Sequence, residues 1–420
     1  MSTVPQQSYL VVGGCGFLGW TIVQTLLARK EPAVAVFDIA QRHEDKRVQF
    51  FTGDMCDQAT VEKAIKQSGA TVVLHTASPL AVGGKMSTAQ MERVNVEGTK
   101  SVVAACLATN VPSLVFTSSA SVVWNGDDLI DVDERAPYAS KHVDIYTVTK
   151  MKAEKIVLEA NGHGKLRTCA LRPSAIFGPG DRQLIPGLVQ VLKEGKQRAQ
   201  VGDNLNLWDA TYVENLADAH VLAADKLSDL SDYEVDIRSR MTTVRATLTD
   251  PPMPTSVGLR QAEQDDIPTG RSKFDQFSPS LLEMAEEDIK DGVPGAIHPL
   301  TVAGQAFFIT NGEPVPFWCV AAMVWQEYGG ESGLYDAYKK PWVLPRDVML
   351  NVAGAVETVC GLFGIEPTFT RFKLAVVSCH RWYNIEKARR VLGYEPKIGL
   401  EEGIKRSVAW IKQQEALKAQ

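Results

Sequence analysis

Short apolar runs alternate with longer amphipathic stretches through the first 181 residues of the chain. Runs such as 9–12 and 33–37 have the length and the β-branched content of buried strands. The stretches between runs, such as 61–67 and 88–109, carry apolar residues at helical spacing. Similar short runs recur at 48–51, 71–74, 114–117 and 167–172. This alternation of strands and helices predicts an α/β fold with a doubly wound parallel sheet.

Composition is ordinary for a soluble globular enzyme. Of the 420 residues 45% are hydrophobic and 22% are charged, and the net charge of −6 provides no basic field for nucleic acid. The seven cysteines are scattered without a CxxC pair or a Cys/His cluster, which argues against a disulfide framework and a metal site. The polar residues 1–8 run straight into a strand, so no signal peptide is expected. The sequence contains no run of ~20 apolar residues, so a membrane-spanning helix is not expected. We therefore expect an intracellular protein.

The first predicted strand ends in a glycine-rich turn. Residues 13–19 have the sequence Gly-Gly-Cys-Gly-Phe-Leu-Gly, and a helical pattern follows. In a strand–turn–helix unit the glycines let the backbone approach a pyrophosphate, and the helix N-terminus supplies N–H donors. We therefore expect Gly13, Gly16 and Gly19 to bind a dinucleotide in a Rossmann-type domain.

Acidic residues follow the second and third predicted strands. Asp38 lies about 20 residues beyond the glycines, where an acid binds the ribose hydroxyls of NAD and repels a 2′-phosphate. NAD is therefore expected, but the nearby Arg42 and His43 leave NADP as an alternative, and Asp38 could instead only cap its turn. Asp54 is a candidate for contact with the adenine edge.

The second half of the chain is less regular. Residues 208–224 predict a short strand and then a helix from about 213, and the sheet should resume at 305–310. Residues 228–300 are polar and contain Asp-Pro-Pro-Met-Pro at 250–254, which predicts a flexible surface insertion. Three regions are predicted. Residues 8–225 form an NAD-binding Rossmann domain, with parts of the substrate site from about 175. Residues 228–300 are the insertion, and residues 303–412 form a smaller C-terminal substrate-binding region that completes the fold.

Tyr146 and Lys150 are one helical turn apart and therefore project from one helix face. A nearby ammonium favours the phenolate over the phenol, so this pair can act as a general base on a hydroxyl. A surface tyrosine beside a solvated lysine is the alternative. Ser118 and Ser119 follow a central strand, where open α/β sheets bind ligands. His75, after the fourth strand, is expected to be structural.

These motifs in this order resemble the extended short-chain dehydrogenase/reductase superfamily. Longer strings at 12–19, 116–122, 146–150, 176–181, 211–215 and 308–318 are similar to its 3β-hydroxysteroid dehydrogenase branch, and most of all to the decarboxylating dehydrogenases of sterol biosynthesis. The resemblance covers about 8–225 and 303–412. Residues 228–300 have no recognised counterpart in it.

The resemblance implies roles for individual residues. Tyr146 would be the acid/base, and Lys150 would lower its pKa and hold the nicotinamide ribose. Ser119 would donate a hydrogen bond to the substrate oxygen, with Ser118 as its competitor, and Asn95 would support the site. The implied cofactor-binding residues are Gly13, Gly16, Phe17, Leu18, Gly19, Asp38, Asp54, Ala77, Lys150 and Pro173.

The implied reaction is oxidation of a 3β-hydroxyl with NAD, followed by loss of a 4α-carboxylate as CO₂. A 3β-hydroxysteroid dehydrogenase/isomerase and a triterpenoid-tailoring enzyme would share these catalytic residues and stay open as alternatives. A nucleotide-sugar epimerase is less favoured because the C-terminal region is rich in tryptophan. A non-catalytic dinucleotide sensor is disfavoured because both Tyr146 and Lys150 are present.

The resemblance also implies surroundings for the protein. It suggests a sterol or triterpenoid substrate, a homodimer, association with other sterol-pathway enzymes, and the endoplasmic reticulum surface, with the cytoplasm as the alternative. Residues 343–365 are consistent either with an amphipathic helix on a membrane or with a helix covering the substrate site. The C-terminal region lacks the strongly apolar segment that some relatives of the resembled family use at the membrane.

Overall fold

The computed structural model describes residues 7–79, 86–141, 144–228, 279–293, 298–333, 335–336, 341–363 and 370–419. The strands of this part are β1 (Ser8–Val12), β2 (Ala33–Asp38), β3 (Val48–Thr52), β4 (Val72–His75), β5 (Ser113–Thr117), β6 (Leu129–Val132), β7 (Arg167–Pro173), β8 (Ala175–Phe177), β9 (Ala199–Val201), β10 (Leu207–Trp208), β11 (Ala210–Tyr212), β12 (Gln305–Ile309), β13 (Val315–Pro316), β14 (Trp342–Leu344) and β15 (Arg381–Tyr383).

The α-helices of the same part are α1 (Phe17–Ala28), α2 (Gln58–Ser68), α3 (Thr88–Glu92), α4 (Gly98–Ala108), α5 (Ile145–Glu159), α6 (Leu184–Lys193), α7 (Val213–Ser228), α8 (Pro279–Lys290), α9 (Phe317–Gly329), α10 (Arg346–Leu362), α11 (Arg371–Ser378) and α12 (Leu400–Ala419). A 3₁₀ helix spans Ala120–Val123, and π-helical segments span Arg93–Glu97 and Ala388–Leu392. The helix predicted over 88–109 is thus α3 and α4 joined by a π segment.

Seven parallel strands form the central sheet in the order β12-β7-β5-β4-β1-β2-β3. The chain builds outward from β1 to β3 and then returns to the other side of β1 with β4. Ligands bind at such a switch point, beyond the carboxyl ends of the strands. The predicted doubly wound sheet is confirmed, and β12 confirms that the sheet resumes at 305–310.

Helices cover both faces of this sheet. Helices α1 and α7 bury Ile22 and Leu216 against one face, and α2, α4 and α5 bury residues such as Val102 and Val157 against the other. Because both faces are covered, the strands are continuous apolar runs rather than alternating ones.

A second sheet connects the two halves of the chain in the order β13-β10-β15-β6. Strand β15 is parallel to both β10 and β6, so a strand from near the C-terminus lies beside the segment that follows Ser118 and Ser119. Helices α6, α9 and α12 surround a separate apolar cluster that includes Trp208 and Phe317.

Most of the predicted insertion, residues 229–278 and 294–297, lies outside the described residues. Within the remainder the structure describes α8, whose described side chains are mostly exposed. His298 and Leu300 are buried, so the core resumes before residue 300.

Candidate active site

The glycine turn between β1 and α1 is too close to its neighbours to carry side chains. A Cβ on Gly13, which has φ +83°, would lie 2.7 Å from the Ala77 Cα, and one on Gly19 would lie 2.2 Å from the Gly13 carbonyl oxygen. Gly16 caps α1 without a side-chain hydrogen bond, so the first N–H groups of the helix are open to a ligand. An uncapped helix N-terminus behind a closely packed glycine turn fits a dinucleotide pyrophosphate. Phe17 and Leu18 open α1.

Asp38 is joined to this turn. The Cys15 backbone N–H donates to Asp38 Oδ2 at 2.9 Å, and Arg42 Nη1 lies 3.9 Å from Asp38 Oδ1. The Asp38 side chain is largely buried, whereas Arg42 is exposed. The structure thus places the acid at the end of β2 beside the glycines, with an exposed cation next to it.

Asp54, after β3, is already engaged by protein groups. Its Oδ1 accepts the Cys56 N–H at 2.9 Å, and its Oδ2 accepts a hydrogen bond from Arg93 at 2.5 Å. These contacts, the Cys56 N–H foremost, hold the Asp54 pKa below its ordinary value. Asp54 therefore stabilises its turn whether or not it also meets adenine.

Tyr146 lies in the first turn of α5, where Asp144 caps the helix by accepting the Thr147 N–H at 2.7 Å. Burial raises the pKa of Tyr146 to about 12, and a hydrogen bond with Ser119 opposes the rise. The structure therefore brings Tyr146 and Ser119 together, as the sequence predicts.

Lys150 lies one turn further along α5 and is buried. Its Nζ donates to the Thr117 carbonyl oxygen at 2.5 Å and lies 4.3 Å from the centre of the Phe116 ring. Burial lowers the Lys150 pKa to about 7, and the charge of Glu154 opposes that fall. The lowered pKa predicted for Tyr146 is not found in this arrangement, because burial outweighs other effects and Lys150 faces the end of β5.

The two serines after β5 have different surroundings. Ser119 begins the 3₁₀ turn, where its Oγ accepts the Ser121 N–H at 3.2 Å. Ser118 is 2% exposed, and its hydroxyl faces Glu154. Only Ser119 interacts with Tyr146, so the geometry favours Ser119 over its competitor.

Asn95 connects two parts of the site from the π segment between α3 and α4. Its Oδ1 accepts the Ser78 hydroxyl at 3.0 Å, and its Nδ2 donates to Thr149 Oγ1 at 2.9 Å. Single π turns are frequent at functional sites. Asn95 thus ties the segment after β4 to the helix that carries Tyr146.

His75 is enclosed beneath this region. Its Nε2 lies 3.0 Å from Thr99 Oγ1, and burial lowers its pKa to about 3. A neutral, fully buried imidazole matches the structural role expected for it.

A buried ion pair behind Lys150 was not expected from sequence. Arg172 donates to the Glu154 carboxylate at 2.6 Å, and the Tyr138 hydroxyl donates to it at 2.8 Å. Burial raises the Glu154 pKa, but the Arg172 charge and the hydrogen bonds to the carboxylate together outweigh this effect and hold the pKa below its ordinary value. The sequence signal that could have indicated this pair is the four-residue spacing, because Glu154 follows Lys150 by one further turn on the same face of α5. Pro173 follows this arginine at the end of β7.

Fold and site together define an extended short-chain dehydrogenase/reductase. The chain belongs to the 3-beta hydroxysteroid dehydrogenase/isomerase family, whose profile matches residues 10–239. It is 37% identical to "Sterol-4-alpha-carboxylate 3-dehydrogenase erg26, decarboxylating" of Schizosaccharomyces pombe, over 97% of this chain and 98% of that protein. The human protein named "Sterol-4-alpha-carboxylate 3-dehydrogenase, decarboxylating" is 31% identical, over 95% of this chain and 86% of its own length.

Solved structures support the fold. The NAD complex of UDP-glucose 4-epimerase from Thermus thermophilus is 20% identical, with a TM-score of 0.59, and the match covers 96% of this chain and 99% of that one. dTDP-glucose 4,6-dehydratase from Bacillus anthracis, also in complex with NAD, gives a TM-score of 0.60 at 16% identity, covering 98% of both chains.

Proposed function

We propose that the protein oxidises the 3β-hydroxyl of a 4α-carboxysterol with NAD⁺ and that the 4-carboxylate is then lost as CO₂. The observation that carries the proposal is the pairing of Tyr146 with Ser119, one turn from Lys150, in a chain similar over nearly its full length to decarboxylating sterol dehydrogenases. The reaction would belong to sterol biosynthesis.

The residues present fit NAD. Gly13, Gly16 and Gly19 would cradle the pyrophosphate, with Phe17 and Leu18 at the helix start and Ala77 beneath the turn. Asp38 would bind the ribose hydroxyls of the adenosine half, and Asp54 and Pro173 would lie along the same groove. When bound, NAD⁺ supplies the hydride acceptor for carbon 3 of the sterol.

Tyr146 would take the proton from the 3β-hydroxyl, and Ser119 would donate a hydrogen bond to the oxygen as it becomes a carbonyl. Lys150 would favour the phenolate electrostatically and hold the nicotinamide ribose. Because Lys150 has a pKa of about 7, its charge is sensitive to what binds beside it.

Loss of CO₂ needs no separate catalytic group. The product of oxidation is a β-keto acid, in which the ketone accepts the electron pair of the breaking carbon–carbon bond as an enolate. Ser119 and the now protonated Tyr146 would both face that oxygen and stabilise its negative charge.

The direct test is NADH formation and product mass from purified protein, NAD⁺ and either a 4α-carboxysterol or a plain 3β-hydroxysterol. NADH with loss of CO₂ from the carboxysterol supports the proposal. Turnover of the plain sterol alone would indicate a general 3β-hydroxysteroid dehydrogenase. No NADH formation with either sterol would contradict the proposed substrate and favour other triterpenoid alcohols. Tyr146→Phe should abolish turnover with nearly unchanged NAD⁺ affinity.

We further propose peripheral membrane contact through α10, at the endoplasmic reticulum surface. Val348, Val352 and Val359 lie along one side of this helix and are 55%, 43% and 53% exposed, and Phe363 just beyond it is 73% exposed. Trp342, before the helix, is 71% exposed. No helix in the described ranges is long and apolar enough to cross a bilayer. An exposed apolar helix face of this kind fits an interfacial helix.

Flotation with phosphatidylcholine–phosphatidylinositol vesicles tests the membrane proposal. Val352→Glu combined with Val359→Glu should abolish flotation while detergent-solubilised turnover persists. Leu205→Glu is the matched control, because Leu205 is 68% exposed but lies in the loop between β9 and β10, outside α10. Equal flotation of all three proteins would contradict a membrane role for α10.

A further inference from the structure

A buried guanidinium lies beside the candidate active site without a carboxylate partner. Arg381 opens β15 and is 8% exposed, and its Cζ lies 4.3 Å from the centre of the Trp124 ring. Its Nε has no hydrogen-bond partner among the described residues, and the Tyr383 hydroxyl is the hydrogen-bonding group beside its guanidinium. No carboxylate oxygen of the described residues lies within 4.0 Å of it. A buried cation without a counterion is costly, so its retention points to a ligand.

Two neighbours locate this guanidinium relative to the catalytic residues. Trp124 ends the 3₁₀ turn that Ser119 begins. Asp144 caps α5 two residues before Tyr146, and although burial raises the Asp144 pKa, the positive charge of Arg381 opposes the rise. Arg381 is therefore close to the end of the 3₁₀ turn that Ser119 begins and to the start of α5, which carries Tyr146.

The same corner holds further hydrogen-bond donors. Arg346 Nη2 donates to Cys379 Sγ at 3.0 Å, but its Nε has no partner. Burial raises the pKa of the Cys379 thiol, and the charges of Arg346 and Arg381 both oppose that rise. The Tyr383 hydroxyl is buried and lies beside the Arg381 guanidinium, because the charge of Arg381 and a hydrogen bond with it oppose the rise that burial causes in the Tyr383 pKa. Two guanidinium groups and the Tyr383 hydroxyl supply hydrogen-bond donors that suit this corner to an anion, and Asp128 is the acidic group that also acts on Cys379.

We propose that Arg381 binds the 4-carboxylate of the substrate and thereby selects sterols that carry this acid. The proposal rests on the proposed function. The carboxylate is on the carbon next to the one that bears the hydroxyl, so a residue that holds it must be within side-chain reach of Tyr146. A guanidinium matches a carboxylate with two parallel N–H···O hydrogen bonds, which a lysine cannot reproduce. Tyr383 is placed to donate a further hydrogen bond.

The test compares a 4α-carboxysterol with its methyl ester, which keeps the shape and the 3β-hydroxyl but has no charge. Arg381→Met should raise KM for the acid roughly 10- to 100-fold, the range expected for a lost charge-assisted hydrogen-bond pair. The KM for the ester should stay unchanged. Arg381→Lys should recover part of the affinity for the acid. Arg390→Met is the matched control, because Arg390 is also 8% exposed but has Glu386 at 3.6 Å.

A binding measurement separates this proposal from the proposed function. Tyr146→Phe should bind without turnover, so the affinities of acid and ester can be compared with NAD⁺ present through the fluorescence of tryptophans such as Trp124. Tighter binding of the acid that disappears in Tyr146→Phe/Arg381→Met supports the proposal. Equal binding of acid and ester before Arg381 is changed, or equal losses for both afterwards, would overturn it. Failure of the unmodified protein to oxidise the acid would overturn only the proposed function.

Discussion

At the scale of single residues, Ser118 and Ser119 are adjacent in sequence but have different partners. Ser119 interacts with Tyr146, whereas Ser118 is turned toward Glu154. An extended segment points consecutive side chains to opposite sides, which accounts for the difference. Serine pairs in loops are common, so the sequence alone left the choice to a family resemblance.

We expect Ser119→Ala to lower kcat about 10²-fold, the usual effect of losing one donor to a developing oxyanion. Ser118→Ala should leave kcat near normal and slightly change stability. Steady-state kinetics with thermal melts of both variants provides the comparison. A larger kcat loss in Ser118→Ala would reverse the assignment.

Asp38 supports a prediction about cofactor choice. Its carboxylate is held by the Cys15 N–H at the end of β2, while Arg42 stands 3.9 Å away. Asp38→Ala removes the charge that would repel a 2′-phosphate and leaves that cation, so the NAD⁺ over NADP⁺ preference should fall at least about tenfold. The ratio of kcat/KM for the two cofactors is the measurement, with Asp45→Ala as a control on the following loop. An unchanged ratio would make Asp38 a turn residue only.

At the scale of elements, α5 carries Tyr146, Lys150 and Glu154 at successive turns. Burial of this face raises the pKa of Tyr146 and lowers that of Lys150, whereas the Arg172 charge and hydrogen bonds outweigh the effect of burial on Glu154. Periodicity predicted the α-helices of the first half, and α5 places Tyr146 and Lys150 on one face as expected. The Glu154–Arg172 pair joins α5 to β7, and no local pattern reports such a contact.

Glu154→Gln should shift the pH dependence of oxidation to higher pH. Losing the carboxylate removes what opposes the fall in the Lys150 pKa, so Lys150 would be less protonated at neutral pH and would favour the phenolate less. We expect the acid limb of kcat against pH to move upward by about one unit. Tyr138→Phe removes a hydrogen bond to Glu154 without changing charge, so its limb should not move. Equal shifts in both variants would indicate general loosening of the site instead.

At the scale of the whole molecule, the features that could be predicted from sequence are those that depend on interactions between residues close together in the chain. The parallel sheet and the glycine turn could be predicted because strand periodicity and turn chemistry are local. The sheet that brings β15 beside β6 could not, because β10 and β13 have two residues each and the pairing joins positions about 250 residues apart. Arg381 was missed for the same reason, because the pairing of β15 with β6 brings it near Trp124 and the start of α5.

The polar segment before α8 provides the last prediction. The described flanks differ in burial: Leu227 is buried in α7, while Met284 and Ile289 of α8 are 58% and 44% exposed. Since the described residues of α8 are mostly exposed and His298 is the first buried residue described after them, we expect replacement of residues 235–275 by a flexible linker of about eight residues to leave a folded enzyme. Turnover should persist, and saturating NAD⁺ should still raise the melting temperature, because a ligand that binds only the native state stabilises it. A melting curve without that NAD⁺ shift, or aggregation of the shortened protein, would show that the segment contributes to the native fold.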